Sequence, residues 1–432
     1  MDETPERAVV AKVTRRLIPF MFVLYVISYL DRINVGFAAL QMNQELGFDS
    51  AVYGLGAGIF FLGYFLFEVP SNLILERVGA RFWIARIMIT WGIIAAAMMW
   101  VTHPLTFYLL RFLLGVAEAG FFPGMILYLT YWIPAAERAR AVALFMTGTA
   151  IAGVIGGPLS GALLSMHGFA GLSGWQWLFL LEGVPAVILG IAVVFYLTDR
   201  PEHAQWLTPE ERTWLNARLS QEREEAQRQE RYTLKHALTA GRVWVLGVLY
   251  FGMVIGIYGF TLWLPQMVKG LSGLNDLGVG VVSAVPYLIA AIGMVLIGQH
   301  SDRTGERRWH VAGSLFVAAG GLALSAFLET PVVALILLSL GALGMWGALG
   351  PFWTLPTAFL SGTAAAGGIA LINSVGNLGG FVGPSVVGFL ENATGSFKSG
   401  LLALALALLV AGLLALAVGR KAAPAPASAP GG

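Results

Sequence analysis

Cysteine is absent from the 432 residues, which excludes a disulfide framework and a thiolate metal centre. Charged residues are scarce, at 12% against 57% hydrophobic. The six histidines lack metal-ligand spacing, so no metal site is expected. No nucleophile–base set stands out, which argues against an enzyme, and no cofactor or nucleic-acid partner is expected. With so little charge, a soluble surface of this size cannot be solvated. What is present instead is a series of apolar runs such as Ala51–Leu75 and Leu178–Leu197, longer than the ~18 residues that mark a spanning helix. The first run has no small-residue cleavage site and is expected to stay as a helix. These features predict an all-α, multi-pass protein whose constant partner is the lipid bilayer.

Splitting the chain at polar turns predicts twelve spans, at 16–38, 51–75, 82–101, 105–133, 140–164, 175–198, 242–266, 278–299, 309–328, 332–356, 364–390 and 398–419. The expected organisation is an N-terminal six-helix bundle over 1–198 and a polar connector over 199–241. A C-terminal six-helix bundle over 242–420 and a disordered Pro/Ala-rich tail over 421–432 complete it. Within the connector, "TPEERTWLNARLSQEREEAQRQERY" reads as a solvated helix. Basic residues crowd one set of turns (Lys12, Arg15, Arg16; Arg77, Arg81; Arg138, Arg140; Arg303, Arg307, Arg308; Arg420, Lys421), while the opposite turns hold little beyond Lys269 and Lys398. The positive-inside rule then predicts both termini on the cytoplasmic side.

The chain repeats itself. "ERVGAR" at Glu76 matches "DRTGER" at Asp302, and "GGPLSG" around Pro158 matches "VGPSVVG" around Pro384. Both pairs lie 226 residues apart. Two unrelated motifs sharing one offset indicate a duplicated six-helix unit. Transport proteins built this way place their substrate between the repeats, near the bilayer midplane.

An ionised side chain at mid-bilayer costs at least about 2.5–3.5 kcal/mol, so each needs a reason. The candidates are Asp31 and Arg32 in the first span, Arg111 and Glu118 in the fourth, and Glu182 in the sixth; Glu68 falls in the second, close to its polar turn. Seven residues separate Arg111 from Glu118, which puts them on one helical face about 10.5 Å apart. Arginine suits a carboxylated ligand because its planar fork pairs with carboxylate and stays charged. The opposing reading is that such pairs only tie helices together, the role expected of Glu182. Tyr29, Tyr64, Trp353, Thr354, Asn373 and Asn377 are polar groups on apolar spans, open to ligand contact or to packing; Asn373 and Asn377 share a face. The Gly-rich "YGLGAGIFFLG" lacks the following Lys-Ser/Thr of a phosphate cradle and reads as close helix packing.

The paired turns resemble the G-x-x-x-D-R-x-G-R/K signature of the major facilitator superfamily. The second copy is faithful at Gly298, Asp302, Arg303 and Gly305, and the first departs at Asn72 and Glu76. That departure, with "YLDRINVGFA", "RFLLGVAEAGFFPG", "LFLLEGVPAV" and "RPEHAQWLTPEER", resembles the superfamily's anion–cation symporter family, which includes tartrate, phthalate and sugar-acid permeases. The resemblance implies two pseudo-symmetric bundles rocking about a central cavity lined by the first and fourth spans. It further implies Arg32 as the principal anion contact, Arg111 as partner of Glu118, and Asp31 and Glu118 as proton-coupling groups. Glu76, Arg77, Asp302 and Arg303 would gate the conformational change. The expected substrates are a tartrate- or phthalate-like carboxylate and protons, carried by a monomer in a bacterial inner membrane. A sugar-acid symporter, an anion exchanger or efflux carrier and a transporter-like anion sensor remain alternatives.

Overall fold

The computed structural model describes residues 5–228, 239–328, 330–357 and 362–418; the predicted tail over 421–432 lies outside them. It is helical throughout its regular elements. In order, these are α1 (Pro5–Leu46), α2 (Ser50–Val78), α3 (Ala80–Ala97), α4 (Pro104–Glu118), α5 (Phe121–Thr130), α6 (Ala135–Met146), α7 (Gly148–Leu164), α8 (Gly174–Tyr196), α9 (Pro209–Arg228), α10 (Gly241–Ser272), α11 (Asp276–Thr304), α12 (Arg308–Ser325), α13 (Pro331–Thr357), α14 (Gly362–Asn377), α15 (Gly379–Thr394) and α16 (Phe397–Val418). Among the described residues, ten helical stretches are long and apolar enough to cross a membrane. Charge-bearing α1 and the 18-residue α12 bring the helical columns to the expected twelve.

Three expected spans are broken. The fourth is divided into α4 and α5 at Ala119 and Gly120, because Gly120 adopts a left-handed φ of 85°. A Cβ there would lie 2.7 Å from that of Ser71 on α2, so only glycine allows this approach. The fifth divides at Thr147 and the eleventh at Leu378. In the other direction, α1 runs well past its predicted ends because its charged first turns continue the helix beyond the apolar stretch.

The duplication is visible in local detail. Helices α2 and α11 have bounds related by the 226-residue offset at both ends. Asp49 caps the first by accepting from the Val52 N–H at 2.7 Å, and its counterpart Asn275 caps the second by accepting from the Gly278 N–H at 2.9 Å. Gly79 and Gly305 end the two helices at φ 102° and 66°. Each cap satisfies a backbone donor that the helix leaves free.

The halves pack through α2 on α15 and α7 on α11. Small residues make this possible. A Cβ on Gly54 would lie 2.6 Å from the Pro384 carbonyl oxygen, and one on Gly58 2.6 Å from that of Phe381. Around them, Gln41 donates to Asp276 Oδ2 at 2.7 Å and Tyr53 donates to the Leu262 carbonyl at 2.6 Å. These contacts all lie towards the face opposite the chain ends, termed here the far face. Gly54→Leu should wedge it open and shift the population towards closure of the near face. The cysteine-free chain allows this to be read as a shorter distance between spin labels at Val78→Cys and Thr304→Cys.

The connector folds as expected over the described part. Thr208 and Glu211 cap α9 reciprocally at 2.8 and 3.2 Å. Lys12 on α1 pairs with Glu211 at 2.7 Å. That ammonium group, helped by the Thr208 N–H, holds the Glu211 carboxyl below the usual carboxylate range. Glu222 meets Arg138 at 3.9 Å, so α9 docks on the N-terminal half.

Candidate functional site

Arg32 lies midway along α1, where α1 meets α2, α4 and α10. Its side chain is only 11% exposed and forms an ion pair with the buried Glu118 at the end of α4. Ser28, one turn earlier on α1, donates to the same carboxylate oxygen at 2.9 Å. The other side of the guanidinium donates to the Tyr258 hydroxyl on α10 at 3.0 Å. Phe60 and Tyr64 on α2 present their rings 5.5 and 5.4 Å from its centre. Arg32 and Tyr258 are separated by 226 residues, so equivalent positions of the two repeats face each other across the seam.

The second arginine has a different setting. Arg111 is fully buried. It donates from Nη2 to the Ala57 carbonyl at 3.1 Å and from Nε to that of Gly56 at 3.4 Å, and lies 5.0 Å from the Phe60 ring. The implied Arg111–Glu118 pair is therefore not the one formed here. The two-turn separation along α4 is filled from outside the helix: α2 supplies carbonyls to the arginine, and α1 supplies Arg32 to the glutamate.

Asp31 also stands apart from the arginines. Its Oδ2 accepts from Trp91 Nε1 on α3 at 2.6 Å, and its Oδ1 from Asn34 at 3.5 Å. Consecutive helical residues point about 100° apart; Arg32 thus faces the seam while Asp31 faces α3. Tyr29 packs with Leu30, Ile33 and Ala152 between α1 and α7. Glu182 accepts from Ser160 at 3.1 Å, joining α8 to α7 as its structural reading expected.

A second polar junction crosses the seam nearer the chain ends. Glu68, 4% exposed on α2, accepts from Asn373 Nδ2 at 2.8 Å. Asn377 and Ser374 on α14 approach its other oxygen at 3.4 and 3.5 Å. The two asparagines do share a face, and that face meets Glu68. Beside this junction, Trp353 packs edge-on against Tyr250 at 4.9 Å, and Thr354 donates to the Pro351 carbonyl at 2.7 Å. Sequence reasoning placed Glu68 in the second span close to its polar turn, gave it no partner, and missed Tyr258, Phe60 and Ser28. Tyr258 was recoverable from the repeat offset, and Phe60 and Glu68 from their i−4 and i+4 spacing to Tyr64.

Among the described residues, the four turn residues make no junction across the seam in this conformation. Asp302 pairs with Arg307 at 2.6 Å within its own turn. Glu76, Arg77 and Arg303 are exposed. It is Arg81 that anchors the first turn, to Asp199 at the end of the N-terminal half, with its backbone N–H donating at 2.8 Å.

A family model described as "Major Facilitator Superfamily" matches residues 21–384. A protein of Agrobacterium vitis named "Putative tartrate transporter" is 55% identical over 386 residues, covering 88% of this chain and 85% of that protein. The "Quinolone resistance transporter" of Acinetobacter baumannii is 45% identical, covering 88% and 87%. Among solved structures, a bacterial homologue of the human lysosomal transporter Spinster, in an inward-facing and unoccupied conformation, superposes with a TM-score of 0.77. It has 18% identity over 96% of this chain and 98% of that one, and so supports the fold alone. These matches are to transporters, not enzymes.

Proposed function

The chain belongs to the Major Facilitator Superfamily, and from that premise we propose that it is a proton-coupled symporter of a small organic anion. Tartrate is the first candidate, in keeping with the name of the Agrobacterium vitis relative. It works as a monomer by alternating access in a bacterial inner membrane, with both termini cytoplasmic. The observation that carries this reading is Arg32: a nearly buried cation at the junction of both halves, within reach of Glu118 and Tyr258.

In the empty transporter, Glu118 neutralises Arg32. An incoming carboxylate competes for the guanidinium fork, whose geometry fits it. Glu118 then keeps Ser28 as a donor but loses its countercharge, and an unpaired buried carboxylate takes up a proton. Anion and proton therefore share one event. Asp31 is the second candidate proton acceptor, acting on the α1–α3 contact rather than on the anion directly. Asn373 and Asn377 supply amide donors from the opposite half, and Tyr64 and Trp353 border the space between. Arg111 positions α2 against α4. Glu76, Arg77, Asp302 and Arg303 act when the near face closes and brings the two turns together.

Purified protein in liposomes with an acidic exterior should accumulate labelled tartrate, and collapse of the pH gradient should stop accumulation. Uptake indifferent to the gradient rules out symport. The Acinetobacter baumannii relative favours a second reading, export of a larger aromatic acid; competition by a fluoroquinolone but not by tartrate would favour it.

A further inference from the structure

Where α1 enters the bilayer, a cleft of about 520 Å³ opens between Ala8, Ala11, Lys12, Arg15, Arg16, Tyr196 and Trp206. We infer that it is a binding site for the phosphate headgroup of an anionic phospholipid in the leaflet on the chain-end side.

The cleft is built from three elements. The apolar part of α1 begins at Leu17, so Arg15 and Arg16 lie at the boundary between hydrocarbon and water. Tyr196 ends α8 and donates its hydroxyl to the Arg16 carbonyl at 2.9 Å. Trp206, from the connector, stacks on Trp132 with ring centroids 5.4 Å apart. Between Tyr196 and Trp206 sits the Arg16 guanidinium, 4.9 and 5.0 Å from the two rings. Aromatic rings and basic side chains at this depth are the usual meeting point with headgroups.

The charge in the cleft is not neutralised from within. Lys12 is occupied by Glu211. Among the described residues, however, neither Arg15 nor Arg16 lies within ion-pair distance of a carboxylate, and the buried Arg16 Nε has no hydrogen-bond partner. Two arginines at the point where the apolar part of α1 begins suit a single phosphate whose acyl chains continue into the hydrocarbon. Free phosphate offers the same charge, but not the acyl chains that the bilayer boundary would receive. The site is far from Arg32 and does not depend on the transported anion.

The test uses the full chain in neutral detergent, with thermal unfolding followed by tryptophan fluorescence. Dioctanoyl phosphatidylglycerol should raise the midpoint by roughly 3 °C more than dioctanoyl phosphatidylcholine. Inorganic phosphate and glycerol 3-phosphate should not. The increment should vanish in Arg15→Gln/Arg16→Gln and persist in Arg7→Gln, which removes an exposed charge from the same helix outside the cleft. Should the double variant fail to fold, Arg16→Lys, which keeps the charge but loses the stacked fork, must lose more than half of the increment. Equal effects of the two lipids, an equal effect of soluble phosphate, or an increment that survives these substitutions would each overturn the assignment.

Discussion

Arg32→Ala is expected to weaken anion binding by about 2–5 kcal/mol, or roughly 30- to 5,000-fold, the range for losing one partner of a buried, hydrogen-bonded charge pair. Uptake should fall below detection at ordinary substrate concentrations. The substitution also strands Glu118, whose remaining donor among the described residues is Ser28, so the protein should lose stability as well. That second loss separates two roles. If Arg32 only ties α1 to α4, Arg32→Ala/Glu118→Gln removes the stranded charge and should recover both stability and the rise in unfolding midpoint on adding tartrate. If Arg32 binds the anion, the double variant recovers its own midpoint and still shows no rise with tartrate. Arg32→Lys should resemble alanine more than arginine, because an ammonium cannot donate from separate nitrogens to Glu118 and Tyr258, as the guanidinium does.

The second large effect concerns Glu68. Asn373 and Asn377 each turn an amide N–H to Glu68, and an anion that draws on the same N–H groups competes with this carboxylate for them. Hydrogen bonds to a charged acceptor contribute about 1.5–3 kcal/mol, against about 0.5–1.5 for a neutral one. Glu68→Gln keeps the shape and weakens the competition by about 1 kcal/mol, so KM should fall roughly fivefold. Glu68→Ala removes the junction and should lengthen the distance between labels at Val78→Cys and Thr304→Cys, as the chain-end side of the seam loses one of its ties. A KM that rises or does not move in Glu68→Gln would show that the asparagines never exchange partners.

Much of this architecture is legible in the sequence. Apolar run length predicted the spans because a bilayer imposes one minimum length on every crossing. The offset read from two short motifs also governs the caps at Asp49 and Asn275, the bounds of α2 and α11, and the Arg32–Tyr258 contact. The cost of charge in lipid singled out Arg32, Arg111, Asp31 and Glu118, all of which are largely buried in polar contacts.

Periodicity along single helices therefore decided which residues are special and on which stripe each one sits. It could not decide which neighbour each stripe would meet. Arg111 and Glu118 share a face of α4, yet α2 carbonyls take the first and Arg32 takes the second. Asp31 turned to Trp91, and Glu68, within α2 as expected, met two asparagines more than 300 residues away. Such pairings depend on how far each helix is rotated and raised against the next, and that is set by small residues such as Gly54, Gly58 and Gly120 where backbones approach. Spacing within one helix carries no record of that approach; only the packed molecule does.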